Sequence, residues 1–214
     1  MSRSILWTSV TATLLAVVLA LGFGGSVAFA ATGPEAAIAA LQKGITTRDI
    51  SLVETHLDID AVATSAAIQI FTDKEVAKEV ARHPALSLML ALGGNVATNE
   101  ALLSLFTSEA REYVEYGVRS GAFTGKTDTT QPPYQGLFGK AFRGNGKDTK
   151  TFGPAEILQR TKNTAFVATT LTEGAKGRAY PLQLRLERQD AVWRVTELVN
   201  VADFVRRRKE KANK

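Results

Sequence analysis

The chain has 214 residues, with 26 Lys and Arg against 21 Asp and Glu, a net charge of +5, 45% hydrophobic residues and 22% charged. These values fit one or two globular domains and exclude a disordered polymer, a collagen-like repeat and a polytopic membrane protein. Cysteine is absent, which excludes disulfides, thiolate metal sites, a catalytic cysteine and a lipid-modified N-terminal cysteine.

The N-terminus reads MSRSILWTSVTATLLAVVLALGFGGSVAFA. Arg3 supplies a positive start, residues 5–23 carry no charge, Gly24, Gly25 and Ser26 break the run, and Ala28-Phe29-Ala30 fits a small-x-small cleavage pattern. Residues 1–30 therefore read as a signal peptide, and the chain as exported, periplasmic or secreted. The alternative is an inner-membrane anchor, because the run approaches the ~20 residues that span a bilayer. Thr8, Ser9, Thr11 and Thr13 dilute it and favour cleavage.

Residues 31–121 read as helical. Pro34 suits a first helical position and Glu35 complements the helix dipole there. Ile38, Leu41 and Ile45 form one apolar stripe, with Gly44 as the expected stop. Thr46-x-x-Asp49 resembles a capping box for a second helix carrying Ile50, Val53 and Leu57. Asp58 and Asp60 stand where a third helix begins, with Ala61, Val62, Ala66 and Ile70 on it. Thr72-Asp73 caps another segment, interrupted by Pro84 after His83, and Gly93-Gly94 stops the apolar stretch 85–92. The last helix covers about 100–118, with Leu102, Leu103, Phe106, Ala110, Tyr113 and Val114 on its apolar face and Gly117 and Gly121 ending it.

Residues 122–153 are punctuated by Gly125, Pro132, Pro133, Gly136, Gly139, Gly144, Gly146 and Gly153 and read as a long loop with a short hairpin around 137–143. Residues 154–205 read as antiparallel strands. Segment 164–172 is rich in Val, Thr and Phe, and a turn follows at 173–177. Leu182, Leu184 and Leu186 then alternate with Gln183, Arg185 and Glu187, the clearest period-two pattern in the chain. Gln189-Asp190 makes a tight turn, and Trp193 and Val195 alternate with Arg194 and Thr196. The expected fold is α+β: helices packed on a twisted antiparallel meander, cone-like, in one domain over 31–205.

A basic tail closes the chain. Residues 206–214, RRRKEKANK, hold six basic residues and one acid, a charge of +5 that equals the net charge of the whole chain. The domain before the tail is near neutral, which weakens the case for nucleic-acid binding by the domain, and no nucleic acid is expected as a partner. The tail itself, with Arg206, Arg207, Arg208 and Lys209, is a candidate for polyanions such as anionic lipid headgroups, at about 1 kcal/mol per basic residue near a charged surface. The competing reading is a solvated, frayed terminus.

Three helices followed by a meander that ends in Asp190-x-x-Trp193-x-Val195 resemble the nuclear-transport-factor-like, or cystatin-like, α+β superfamily. The segments AIAALQKGITTRDISLVETHLDIDAV and NTAFVATTLTEG…PLQLRLERQDAVWRVTELVNV are similar to exported bacterial domains of unknown function. The resemblance covers about three quarters of the chain after the signal and not the stretch 122–153. It implies a cone-shaped cavity between sheet and helices. It implies no particular ligand, because such a fold carries enzymes, carriers and interaction modules alike.

The chemistry-bearing residues are few. The segment 121–127, GAFTGKT, lacks one residue of a phosphate-binding loop and the strand that should precede it, so a turn is expected. His56 and His83 share no metal-ligand spacing, and Asp60 near His56 reads as a helix cap. No metal or other cofactor is expected. No nucleophile motif is present, so no catalytic residue is assigned. Acid–base chemistry would have to draw on Asp58, Asp60, Tyr113, Tyr116 and Tyr180, which read more simply as caps and core-edge rings. The pocket-lining candidates are Trp193, Tyr180, Phe166, Leu184, Tyr113 and Tyr116, with plain core as the rival reading. The functional expectation is a non-catalytic domain of the cell envelope that binds a small apolar ligand or an envelope protein. The alternatives are an isomerase or lyase using a buried Asp and a Tyr, and a tethering module acting through the tail.

Overall fold

A computed structural model describes residues 33–80, 87, 96–126, 128, 130–136, 150–173 and 178–212. The chain is α+β, with helices in the N-terminal half and an antiparallel meander in the C-terminal half that does not close into a barrel. His83, Pro84, the apolar stretch 85–92 and the expected hairpin at 137–143 lie outside the described residues. No helix among the described residues is long and apolar enough to cross a membrane.

Helix α1 spans Pro34–Thr47 and buries Ala37, Ile38, Leu41 and Ile45 on one stripe. Gly44 does not stop it. The helix runs on to Thr47 and ends at Arg48, which takes a left-handed conformation at φ 60°. Gly44 serves close packing instead, since a Cβ there would come within 2.8 Å of Val53 Cγ2. The Thr46 capping box is also absent. Its hydroxyl turns back onto the Gln42 carbonyl, and Asp49 itself caps helix α2 (Ile50–His56) by accepting from the Leu52 amide at 3.0 Å. Asp58 caps helix α3 (Ile59–Thr72) by accepting from the Ala61 amide, and Asp73 caps helix α4 (Lys74–Val80) through the Glu75 and Val76 amides. Asp60 is therefore not a cap. It lies in the first turn of α3, where it complements the dipole.

Helix α5 (Glu100–Arg119) is capped by Asn99. Gly117, expected at its end, lies inside it and gives room to the Phe123 ring. The chain leaves α5 through Gly121, at φ 72°, into a 3-10 turn at Ala122–Thr124 that Gly125 closes at φ 69°. Residues 121–126 of the GAFTGKT segment are thus a turn following a helix, as its context requires.

Among the described residues five strands follow: β1 (Lys150–Phe152), β2 (Glu156–Arg160), β3 (Thr164–Glu173), β4 (Arg178–Gln189) and β5 (Val192–Leu198). Every pairing between these strands is antiparallel, in the order β1–β3–β4–β5, with β2 also on the free side of β3. Strand β1 falls within the segment read as loop. It is only three residues long, set among glycines, and it forms because Leu171–Glu173 offers it a ladder. The β4–β5 turn puts Asp190 at φ 48° and Ala191 at φ 68°, a two-residue left-handed turn that usually takes Asn-Gly. Helix α6 (Val201–Ala212) ends the described chain, so the strands stop at Leu198 and not at 205.

The leucine alternation on β4 faces the helices. Leu182, Leu184 and Leu186 are buried and lie opposite Thr169, Val167 and Ala165 of β3. Each buried leucine contributes about 1.5–3 kcal/mol relative to exposure. They belong to one continuous core with Leu41, Val62, Ala66, Ile70, Phe106 and Val114 of the helices.

The Gly117–Phe123 contact has a direct test. Gly117→Ala drives a methyl group into the Phe123 ring, which outweighs the helix-propensity gain of alanine. A loss of about 1–3 kcal/mol in urea unfolding is expected, whereas a stabilised variant would contradict this packing.

Candidate functional site

Each pocket candidate has a definite place. Trp193, on β5, is 3% exposed, and its ring faces the Arg160 guanidinium at 5.6 Å from the ring centroid. Its Nε1 has no hydrogen-bond partner among the described residues. Tyr180 is 1% exposed and stacks edge-on against Phe204 of α6 at 5.3 Å. Leu184 is core. Phe166 does not join them. It pairs in register with Arg185, between the buried Ala165 and Val167, so strand alternation puts it on the opposite face of the sheet. That face carries an ion-pair cluster in which Arg185 meets Glu187 at 2.7 Å and Glu197 at 3.7 Å.

Tyr113 and Tyr116 belong to a second aromatic group at the end of α5. Tyr113 is 2% exposed and contacts Phe123 at 5.6 Å and Tyr134 at 5.9 Å, and Tyr116 meets Tyr134 at 5.6 Å. The Tyr134 hydroxyl donates to Glu109 Oε2 at 3.0 Å. Burial, then the Glu109 hydrogen bond and the Glu109 and Glu112 charges, push its ionisation well above the ordinary phenol range. These rings pin residues 130–136 to α5 and fill space.

The carboxylates named for acid–base work have structural partners. Asp58 caps α3. Asp60 accepts from Arg111 Nη2 at 2.8 Å, and Glu54 accepts from Arg111 Nη1 at 3.0 Å, so one arginine ties α2, α3 and α5 together. His56 sits at the C-terminal end of α2, half-buried, with Nδ1 3.0 Å from the Trp193 carbonyl. As that carbonyl can only accept, Nδ1 is the protonated nitrogen. Among the described residues, no three His, Asp or Glu side chains group as metal ligands.

A recess lies on the outside, between α2 and the β4–β5 turn. It holds about 420 Å³ and is walled by Ser51, Glu54, Thr55, Gln189, Asp190, Val192 and Arg194. Arg194 shapes its floor by donating to Gln189 Oε1 at 3.2 Å and to the Glu54 carbonyl at 3.0 Å. The remaining acceptors of the wall are the Asp190 carboxylate and the Ser51 and Thr55 hydroxyl oxygens, with the Glu54 carboxylate held at one oxygen by Arg111. Nothing local in the sequence announces this site, because Glu54 and Arg194 are 140 residues apart. Its one sequence-level trace is the Asp190-Ala191 turn, where a two-residue connection between strands fixes the hairpin tip.

Comparison with protein-family models, with curated proteins and with solved structures finds no match to this chain.

The placement of Trp193 predicts its fluorescence. With Trp7 replaced by Phe, so that Trp193 is the only indole, the native chain should emit at short wavelength and resist acrylamide. Unfolding should shift the emission to the red and open it to quenching. Native quenching equal to that of free indole would show an open cavity instead.

Proposed function

We propose that this chain is a non-catalytic binding domain, exported to the cell envelope, that engages a protein partner through the recess between α2 and the β4–β5 turn. The observation that carries this reading is where the aromatic residues lie. Trp193, Tyr180 and Tyr113, the side chains best suited to line an interior pocket, are packed into the core. A small apolar ligand would have to displace them, whereas the recess outside is already formed. The Asp190 carboxylate and the hydroxyl oxygens on its wall suit a basic side chain of a partner. The use of Asp58 and Asp60 as cap and ion-pair partner supports a binding role over acid–base chemistry. The export signal at 1–30 and the resemblance to exported α+β domains support an envelope location.

A photo-crosslinking amino acid tests the reading in the cells that make the protein. Placed at Thr55, on the recess wall, it should yield a discrete protein adduct that weakens when Asp190→Asn removes a wall carboxylate. Placed at Gln183, an exposed position on β4, it should yield none. Absence of an adduct at Thr55, or equal adducts at both positions, would contradict the proposal. So would a small molecule retained by the intact protein in native mass spectrometry.

A further inference from the structure

The charge of this protein is concentrated on one helix. Residues 206–214 carry +5 and the rest of the chain sums to zero. Helix α6 runs unbroken from Val201 to Ala212, so most of the basic run is presented on a helix and not on a frayed end.

The anchoring of that helix is specific. Val201, Phe204 and Val205 are buried, and Phe204 stacks on Tyr180 of β4. Arg206 makes ion pairs with Asp73, the cap of α4, and with Asp203 one turn earlier. The apolar stripe is therefore used up against the domain, and Arg206 is used as a clamp. Arg207 is exposed and makes no ion pair with a described residue. Arg208, Lys209 and Lys211 follow on the same helix, with Glu210 the single acid among them.

We propose that α6 docks the protein on an anionic lipid bilayer, with Arg207, Arg208, Lys209 and Lys211 lying among the headgroups. A helix whose apolar face is already buried cannot insert into the acyl region, so the attraction is electrostatic and peripheral. A bilayer suits it because a cluster of cations on one short helix matches a surface of laterally mobile anions without requiring a particular spacing. The anchor keeps the helix in a constant orientation to the domain, which holds the recess at a set angle to the membrane. This inference concerns a surface other than the recess, and its test does not involve the recess partner.

The full-length chain is mixed with vesicles of phosphatidylcholine alone, or of phosphatidylcholine with phosphatidylglycerol, and sedimented. Any adhesion through the apolar residues 5–23 is common to all the chains compared. The parent chain should partition more strongly onto the anionic vesicles, and the excess should vanish at high salt. The triple variant Arg207→Gln, Arg208→Gln, Lys209→Gln keeps the Arg206 clamp and good helix formers. Its partition onto anionic vesicles should fall about 100-fold, with an unchanged circular dichroism spectrum. Equal partition of parent and variant, or of the parent on both vesicle types, would overturn the inference. So would a parent chain that retards duplex DNA at the same salt while leaving anionic vesicles unbound.

Discussion

Strand β5 ends the sheet on the side where the helices lie, and its outward carbonyls must find donors away from bulk water. Three groups from the helical half supply them. The Asp58 amide donates to the Val195 carbonyl at 2.9 Å, within a short parallel bridge between Leu57 and Val195. The Gln69 side chain donates through Nε2 to Leu198 O at 2.8 Å, and His56 Nδ1 lies against Trp193 O. An unsatisfied buried carbonyl costs about 1–3 kcal/mol, so these contacts fix the register of the α2–α3 corner along the strand. They bring the helices over the leucine face of β4, and the hydrophobic core follows from that placement. Arg194, reaching from the same strand to the Glu54 carbonyl, extends the seam to the recess.

This seam explains which parts of the fold were legible in the sequence. Elements with a local cause could be read directly: the period-two leucines of β4, the α5 stripe, and the acids that cap α3 and α4. Features decided by distant partners could not. Gly44 carries the local sign of a helix end, yet it stays helical because Val53 packs against it. Strand β1 has loop composition and becomes a strand only because β3 offers an edge. Asp60 looks like a cap, but its partner Arg111 is 51 residues away. Phe166 reads as an interior aromatic until the register with β4 assigns it to the other face.

The same distinction governs the candidate site. Aromatic residues in strands announce burial, and burial alone does not separate a ligand cavity from a packed core. The rings of Trp193, Tyr180 and Tyr113 meet other side chains, so they are packed core and not the wall of an interior pocket. The recess there is assembled from a helix and a hairpin joined by the β5 seam, which is why its residues are scattered in sequence. The basic helix α6, by contrast, was visible as charge. What the charge pattern lacked was the anchor of Phe204 on Tyr180 and of Arg206 on Asp73, which ties the start of the basic run to the domain.

Amide hydrogen exchange at Asp58 examines the seam most directly. Asp58 stands between two short helices, where an N-cap amide ordinarily faces solvent and exchanges quickly. Bonded to the carbonyl of Val195, it should exchange as slowly as the amides of the central strand β4. Exchange at the rate of an open turn would mean that the helices are not locked to β5, and the arrangement of core and recess built on that lock would fail with it.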